Sequence, residues 1–430
     1  MKHYLLISLM LSAAFYARGQ YNYFDIIEGE VGDTISEATV SIELSQDGYV
    51  SWGLFSTVDY NHVYLYEYNT EGERIDSNTY THPGEFVFIG SSQTFITEPQ
   101  SSGYLFSCGI FQDDNSFAGY TMSFSGTFDI NYAERYSPYP YTYFRGLESF
   151  GDEIISLGDY SPDNGFVGSF IQRTDLAGEV LSNTVLHPYE FGANYSNSYI
   201  EQVADKYFIS GLVMDNGDLY GLLSITDLEG NLQEEIEYYD QSYGEWSPLG
   251  VTQLTDGELM VVQSLGYEEY DDPLNQGFYW KNIRLAKIDP ETGEEYWNQA
   301  YLVDYELISG RWIDIEPTED GGLIILGIAY SPEITIYSYL LKIDAAGNQE
   351  WIKDFWKEES AINWLRDVEV AHDGGYIMAG TIENNDIDEF TRAWVLKVDA
   401  CGDEQWEDCQ PLSTEVEDVS STFKVFPNPP

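Results

Sequence analysis

Residues able to do chemistry fall into two groups, acidic loops and aromatic loops. The acidic runs are "QDDNS" at Gln112–Ser116, "EEYDDPLNQ" at Glu268–Gln276 and "ENNDIDE" at Glu383–Glu389. Asp113, Asp114, Asp271, Asp272, Asp386 and Asp388 supply hard oxygen ligands at close spacing, which suits calcium. None follows the D-x-[DN]-x-[DN]-G loop, and solvated charge is the plainer reading. The aromatic runs are "RYSPYPYTYF", "HPYEFGANYSNSY", "YYDQSYGEW" and "WKEESAINW". The first, around Pro138, holds Tyr139, Tyr141 and Tyr143. The others hold Tyr189, Tyr195, Tyr243, Trp246 and Trp364. Exposed Tyr and Trp faces stack on sugar rings or anchor a protein partner. Packing between elements is the competing role.

Other chemistry is excluded by motif. "HDGGYIMAGT" at His372–Thr381 could be a phosphate-cradling loop. It opens no helix, and the chain holds neither G-x-x-x-x-G-K-[ST] nor G-x-G-x-x-G before a helix. There is no G-x-S-x-G elbow and no H-E-x-x-H pair. His62, His82, His187 and His372 are scattered. His82 and His187 each precede a proline, where a turn role is expected, with a metal role as the sharper alternative. The chain has 74 acidic residues, so no carboxylate pair for glycan hydrolysis can be singled out by type alone.

The elements that must hold these loops emerge from a repeat. "QDGYVSWG", "SSGYLFSCG", "FGDEIISLG", "ADKYFISG", "TDGELMVV", "EDGGLIILG" and "HDGGYIMAG" recur, with Gly48 and Gly374 six intervals of about 54 residues apart. A second marker interleaves: an apolar run, a Gly turn, then a polar–aromatic run, as in "LLKIDAAGNQEW". Its turn glycines are Gly72, Gly126, Gly178, Gly230, Gly293, Gly347 and Gly402. Each unit reads as four strands. In the last they lie near Asn363–Ala371, Tyr376–Ile382, Arg392–Asp399 and Asp403–Asp408. Strands such as "LIILG" are apolar on both faces, so both faces are covered. Such sheets stack radially. The expected fold is an all-β, seven-bladed β-propeller of four-stranded antiparallel blades, with six or eight blades as alternatives. "YNYFDII" at Tyr21–Ile27 is expected to help close the ring.

In this fold the first-to-second and third-to-fourth strand turns share one face, here short and uniform. The opposite face is irregular and carries the acidic and aromatic loops, so function is expected there. "SPDNGFVG" at Ser161 resembles the S-x-D-x-G core of sialidase-type propellers. It occurs once and lacks the closing aromatic residue.

Composition bounds the rest. The chain has 430 residues, 43% of them hydrophobic, and a net charge of −56. Such a chain repels nucleic acid and anionic lipid and attracts cations. Residues 1–19 read as a secretory signal peptide: Lys2 and His3, an apolar run Tyr4–Phe15, and small residues Ala17 and Gly19 before a cut at Gln20. No later segment is long and apolar enough to span a membrane. Cys401 and Cys409 flank a hairpin and are expected to form a disulfide, with Cys108 a buried thiol. The domain reading is signal peptide 1–19, propeller 20–411 and acidic linker 412–423, then a short C-terminal motif 424–430.

The repeat resembles the propeller repeats common in secreted proteins of Bacteroidetes. The tail "FKVFPNPP" is similar to the opening of the C-terminal sorting domain of type IX secretion cargo, with Val425, Pro427, Asn428 and Pro429 matching its V-x-P-N-P pattern. That domain ordinarily runs further, so the motif here reads as a truncated start. The resemblance implies export through the periplasm to the medium or cell surface, with the type IX machinery as partner.

The leading functional reading is a monomeric, non-catalytic binding or adhesion module for glycan or protein ligands, acting through the irregular face. Calcium is the one cofactor its loops suit. The alternatives are a secreted polymer-degrading hydrolase or lyase with carboxylates at the channel mouth, and a structural spacer. A quinone-dependent dehydrogenase has only the repeat tryptophans in its favour.

Overall fold

The computed structural model describes residues 23–28, 36–56, 61–81, 86–88, 95–97, 103–111, 116–136, 138–162, 167–188, 193–215, 218–238, 249–267, 279–302, 310–331, 335–358, 361–383 and 391–403. Every regular element among them is a β-strand. Among the described residues the 29 strands group into seven units four strands across, six of them built from consecutive strands. Blade 1 is β2 (Ser36–Leu44), β3 (Gly48–Ser56), β4 (Asn61–Asn69) and β5 (Arg74–Thr81). In blade 2 the inner strand is split into β6 (Phe86–Phe88) and β7 (Phe95–Thr97). Both pair with β8 (Tyr104–Phe111), followed by β9 (Phe117–Phe124) and β10 (Ile130–Tyr136). Blade 3 is β11 (Tyr141–Phe150), β12 (Glu153–Ser161), β13 (Gly168–Asp175) and β14 (Val180–His187). Blade 4 is β15 (Ala193–Val203), β16 (Lys206–Asp215), β17 (Asp218–Asp227) and β18 (Leu232–Tyr238). Blade 5 is β19 (Leu249–Gln253), β20 (Leu259–Tyr267), β21 (Tyr279–Ile288) and β22 (Glu295–Leu302). Blade 6 is β23 (Gly310–Pro317), β24 (Leu323–Ser331), β25 (Thr335–Ile343) and β26 (Gln349–Phe355).

The seventh blade departs from the sequence reading. Its strands are β27 (Ile362–Val370), β28 (Tyr376–Glu383), β29 (Thr391–Val398) and, from the other end of the chain, β1 (Phe24–Glu28). β1 pairs antiparallel with β29, Phe24 opposite Lys397 and Glu28 opposite Ala393. The edge expected for Asp403–Asp408 is therefore taken by the N-terminal segment. The physical gain is closure: strand pairing ties the two ends of the repeat array together and covers an open edge. Asp25 anchors the strand, accepting from Trp394 Nε1 at 3.1 Å and pairing with Lys357.

Burial tracks strand order. The second strand is buried on both faces, as the continuous apolar runs required, whereas outer strands such as β10 and β18 are mostly exposed. Core clusters lie between blades. One joins Trp52, Phe106 and Phe124 of blades 1 and 2. Another joins Phe24, Ile42, Tyr49, Ala379 and Val395 across the closing seam.

The turn glycines have two reasons to be glycine. Gly72, Gly178, Gly230, Gly293, Gly347 and Gly402 all have positive φ, between 69° and 86°. A Cβ at most of them would also strike the preceding blade: Tyr132 at Gly178, Ile236 at Gly293, Trp297 at Gly347 and Trp351 at Gly402. At Gly72 the obstacle is Phe24, so β1 plays the part for blade 1 that an outer strand plays elsewhere. Gly126 is the exception. In that turn the N–H that closes back on Ser125 belongs to Phe128, which takes the positive φ of 59°. Its ring is buried in the cluster of blades 1 and 2, which holds the strained backbone in place.

A further repeat links turn to strand. The Asp of the D-G turn pairs with a Lys near the end of the third strand: Asp256 with Lys287, Asp320 with Lys342 and Asp373 with Lys397. Blade 3 substitutes Glu153 and Arg173. Cys401 is disulfide-bonded and Cys108 is free and buried. Cys409, residues 1–19 and the whole of 412–430 lie outside the described residues.

Candidate functional site

Seven inner strands surround the axis. In β2, β11, β15, β23 and β27 the register with the second strand shifts at one equivalent point: Thr39/Ser41, Phe144/Gly146, Asn197/Tyr199, Trp312/Asp314 and Leu365/Asp367. Such bulges bend a strand and re-aim the side chains beyond them. Here the residue directly after the shift is Ser41, Gly146, Tyr199, Asp314 or Asp367. Two positions on stands a glutamate in every case: Glu43, Glu148, Glu201, Glu316 and Glu369. Blade 5 has Thr252 at that register, opposite Met260, and blade 2 has Phe95, opposite Phe106.

The glutamates stand where the inner strands run into the short turns. Glu148, Glu201 and Glu316 line a cavity of about 280 Å³ with Tyr199, Thr252 and Gln253; Ile200, Val251, Ile315 and Pro317 complete the wall. The glutamates are half-buried: water reaches them through the channel, and protein surrounds them otherwise. Burial, and the charge of neighbouring carboxylates, disfavour ionisation. Burial raises Glu148 to about 7. Burial and the Glu148 charge raise Glu201 to about 7, against hydrogen bonds from the Gln253 backbone and Thr252. Glu369 is raised to about 8 by burial and by Asp314 and Glu148. Glu316 is pushed well above the ordinary range by burial and by Glu369, Asp314, Asp367 and Glu43. Influence between Glu369 of blade 7 and Glu148 of blade 3 crosses the channel.

One step deeper, Asp314 and Asp367 occupy the same register of β23 and β27, and burial raises both above the ordinary carboxyl range. Each also reaches the next blade. Val368 N donates to Asp314 Oδ2 at 3.0 Å, and Ile42 N donates to Asp367 Oδ2 at 2.7 Å. Tyr199 OH donates to Asp314 Oδ1 at 3.4 Å from blade 4. Blade 5, between them, has Gly250 at that register.

The expected aromatic residues are placed differently. Tyr139 stacks on Tyr160 at 4.3 Å, Tyr195 stacks on His187 at 4.2 Å, and Tyr141 lies against Phe117 at 6.1 Å. Tyr143 receives a hydrogen bond from Arg145, and Trp364 lies under Arg366 at 3.9 Å. All five are half-buried and engaged in these contacts. Tyr189, Tyr243, Trp246 and the six acidic candidates Asp113, Asp114, Asp271, Asp272, Asp386 and Asp388 lie outside the described residues. Among the described residues no group of three or more His, Cys, Asp or Glu is arranged for a metal ion.

His187 is more than a turn residue. Its Nδ1 meets Ser169 Oγ at 2.6 Å and its Nε2 meets Glu235 Oε1 at 2.8 Å, with Asn197 donating to Ser169 at 3.0 Å. The order Ser–His–Glu resembles a nucleophile relay. Ser169 is wholly buried, however, and the partners come from blades 3 and 4. The set is a polar pin between blades.

The glutamates carried a signal in the sequence. "IELSQDG", "IEPTEDG" and "VEVAHDG" repeat an apolar–Glu pair ahead of the D-G turn, with "LESFGDE" and "IEQVADK" as variants. Aligning the acids on the repeat selects them where residue type alone could not.

No family model matches the chain, and no curated protein matches it. Solved structures similar to it include an α-L-arabinanase of Penicillium chrysogenum with arabinobiose, at 13% identity and TM-score 0.44, covering 88% of this chain and 98% of that one. A GH93 α-L-arabinofuranosidase of Fusarium graminearum shows 10% identity and TM-score 0.45, covering 88% and 98%. The β-propeller domain of the Trilobed protease from Pyrococcus furiosus shows 9% identity and TM-score 0.45, covering 85% and 98%. The all-β propeller architecture is common ground. The chemistry of this chain has to be read from its own residues.

Proposed function

We propose that the protein is an exported propeller that takes a neutral, polyhydroxylated ligand, a glycan, at the mouth of its central channel. The observation that supports this is the convergence of Glu148, Glu201 and Glu316 with Tyr199, Thr252 and Gln253 around one cavity between short apolar walls. Carboxyl groups held near protonation at neutral pH both donate and accept hydrogen bonds, as sugar hydroxyls require. The acidity of the chain disfavours anionic glycans. The reading moves the binding site from the irregular face to the end of the channel with the short turns. Delivery outside the cell or to its surface rests on residues 1–19 and on the tail motif.

A second reading is acid–base cleavage of the bound glycan. Burial raises Glu148 and Glu201 to about 7, and the Glu148 charge adds to the rise at Glu201. Two carboxyls that titrate near neutrality in one cavity can supply an acid and a base together.

A glycan array with and without calcium, followed by reducing-end release from any bound sugar, tests both. Binding that falls at least tenfold in Glu148→Gln and Glu201→Gln, with no release, supports the binding module. Release abolished by either variant supports the enzyme. A protein that binds no sugar, or whose binding both variants leave unchanged, overturns the site.

A further inference from the structure

We propose that Asp314 and Asp367 form a one-proton clasp that pins blades 6, 7 and 1 together at the axis, and that removing this proton loosens the closing seam of the ring. The inference is independent of the ligand. Asp314 and Asp367 stand at the same register of neighbouring inner strands, both buried. Asp314 reaches the backbone directly beside Asp367, so the two carboxyls disfavour each other's ionisation. Each has a second anchor, Asp314 on Val368 N of blade 7 and Asp367 on Ile42 N of blade 1. Three consecutive inner strands are thereby joined through one shared hydrogen. Both residues are almost completely buried, at 1% and 4% exposure, so water does not replace the bond.

The titratable groups facing the clasp are Tyr199 from β15, Glu316 on β23, Glu369 on β27 and Glu43 on β2. None of these groups carries positive charge, so a second negative charge at the clasp finds no counter-ion among them. Both Asp314 oxygens already accept, from Tyr199 OH and Val368 N, whereas among the described residues only Oδ2 of Asp367 does, so Asp367 holds the proton and Asp314 accepts it.

The roles are unequal, and this makes the proposal testable. Asp367→Asn imitates the protonated acid: its oxygen can still accept from Ile42 N, and its NH2 can donate to Asp314. Asp314→Asn removes an acceptor needed by Asp367 and Tyr199. Urea unfolding of the full chain is measured from pH 5 to pH 10. One proton retained only by the folded state makes the unfolding constant rise tenfold per pH unit where that proton is lost on unfolding. Asp367→Asn is expected to remove that tenfold-per-unit contribution and to equal or exceed the wild type above pH 8. Asp314→Asn is expected to be less stable than the wild type throughout. Equal losses in both variants with the wild-type slope intact would overturn the clasp. Should neither variant fold, ¹³C NMR of aspartate-labelled wild type decides. An aspartate carboxyl still titrating above pH 8 upholds the clasp, and titration of every aspartate below pH 7 sinks it.

Discussion

Ala204 has φ of 55° in the turn between β15 and β16, where Gly257, Gly321 and Gly374 serve blades 5, 6 and 7. A Cβ in the left-handed region costs about 1–2 kcal/mol. Glycine there also widens the unfolded ensemble, which takes back about half of the benefit. Ala204→Gly is expected to stabilise the protein by about 0.5–1 kcal/mol, read as a higher urea midpoint with an unchanged slope. Phe128 has a similar φ of 59° and the opposite expectation. Its side chain is buried at 1% exposure, so glycine would remove a core ring. Positive φ alone does not mark a site for glycine; burial decides the sign. The same distinction separates the glutamates. Glu148, Glu201 and Glu316 differ from the exposed acids by lining a confined cavity, where burial above all keeps the proton on.

β1 is the element on which the ring depends. Phe24 is 7% exposed, lies 5.9 Å from the Tyr49 ring and sits against Gly72. Phe24→Ala is expected to cost about 3–5 kcal/mol. Amide exchange should accelerate first in β29, which loses its partner strand, and in β2 across the seam. Ile75, 58% exposed on β5, provides the control, with a change within about 0.5 kcal/mol for Ile75→Ala. Exchange that quickens equally in all blades would count against a seam at this point. The Lys–Asp pins work at the same scale. Lys397 is wholly buried, so its bond to Asp373 matters more than the partly exposed equivalent at Lys287 and Asp256.

For the whole molecule, the raised carboxyls set the direction of pH dependence. Asp159 is raised to about 6, Glu148 and Glu201 to about 7, and Glu369 to about 8. A carboxyl raised on folding gives stability that is fully present below its unfolded value, about 4. That stability is lost as pH rises through the folded value. The loss therefore falls between about pH 4 and pH 8. Asp227, Asp256, Asp289 and Asp320 are lowered, and their contribution is lost only below about pH 4. The urea midpoint is expected to be higher at pH 5 than at pH 8, and a midpoint that climbs across that interval would refute this balance. Growing self-repulsion of a chain with charge −56 acts in the same direction.

Periodicity made the architecture legible. Apolar runs such as "LIILG" and "YIMAG" recur at one spacing with Gly turns between, and local sequence suffices for the first six blades because each is built from adjacent strands. The turn glycines were legible for the same reason, and Gly126 misled because a neighbouring residue two places on could take the unusual φ. The Glu positions were also written in the repeat, ahead of the first turn in five of the seven units, with Thr252 in that place in blade 5. The ring-closing role of Tyr21–Ile27 was legible too. Its pairing with β29, in the place expected for Asp403–Asp408, came only from the tertiary structure, because pairing between distant chain ends leaves no local pattern. The ring partners were not legible either: Tyr195 of blade 4 stacks on His187 of blade 3, a neighbour that only the packing of blades supplies. Glu148, Glu201 and Glu316 share a cavity because inner strands distant in the chain meet there, and their raised proton affinity comes first from that burial.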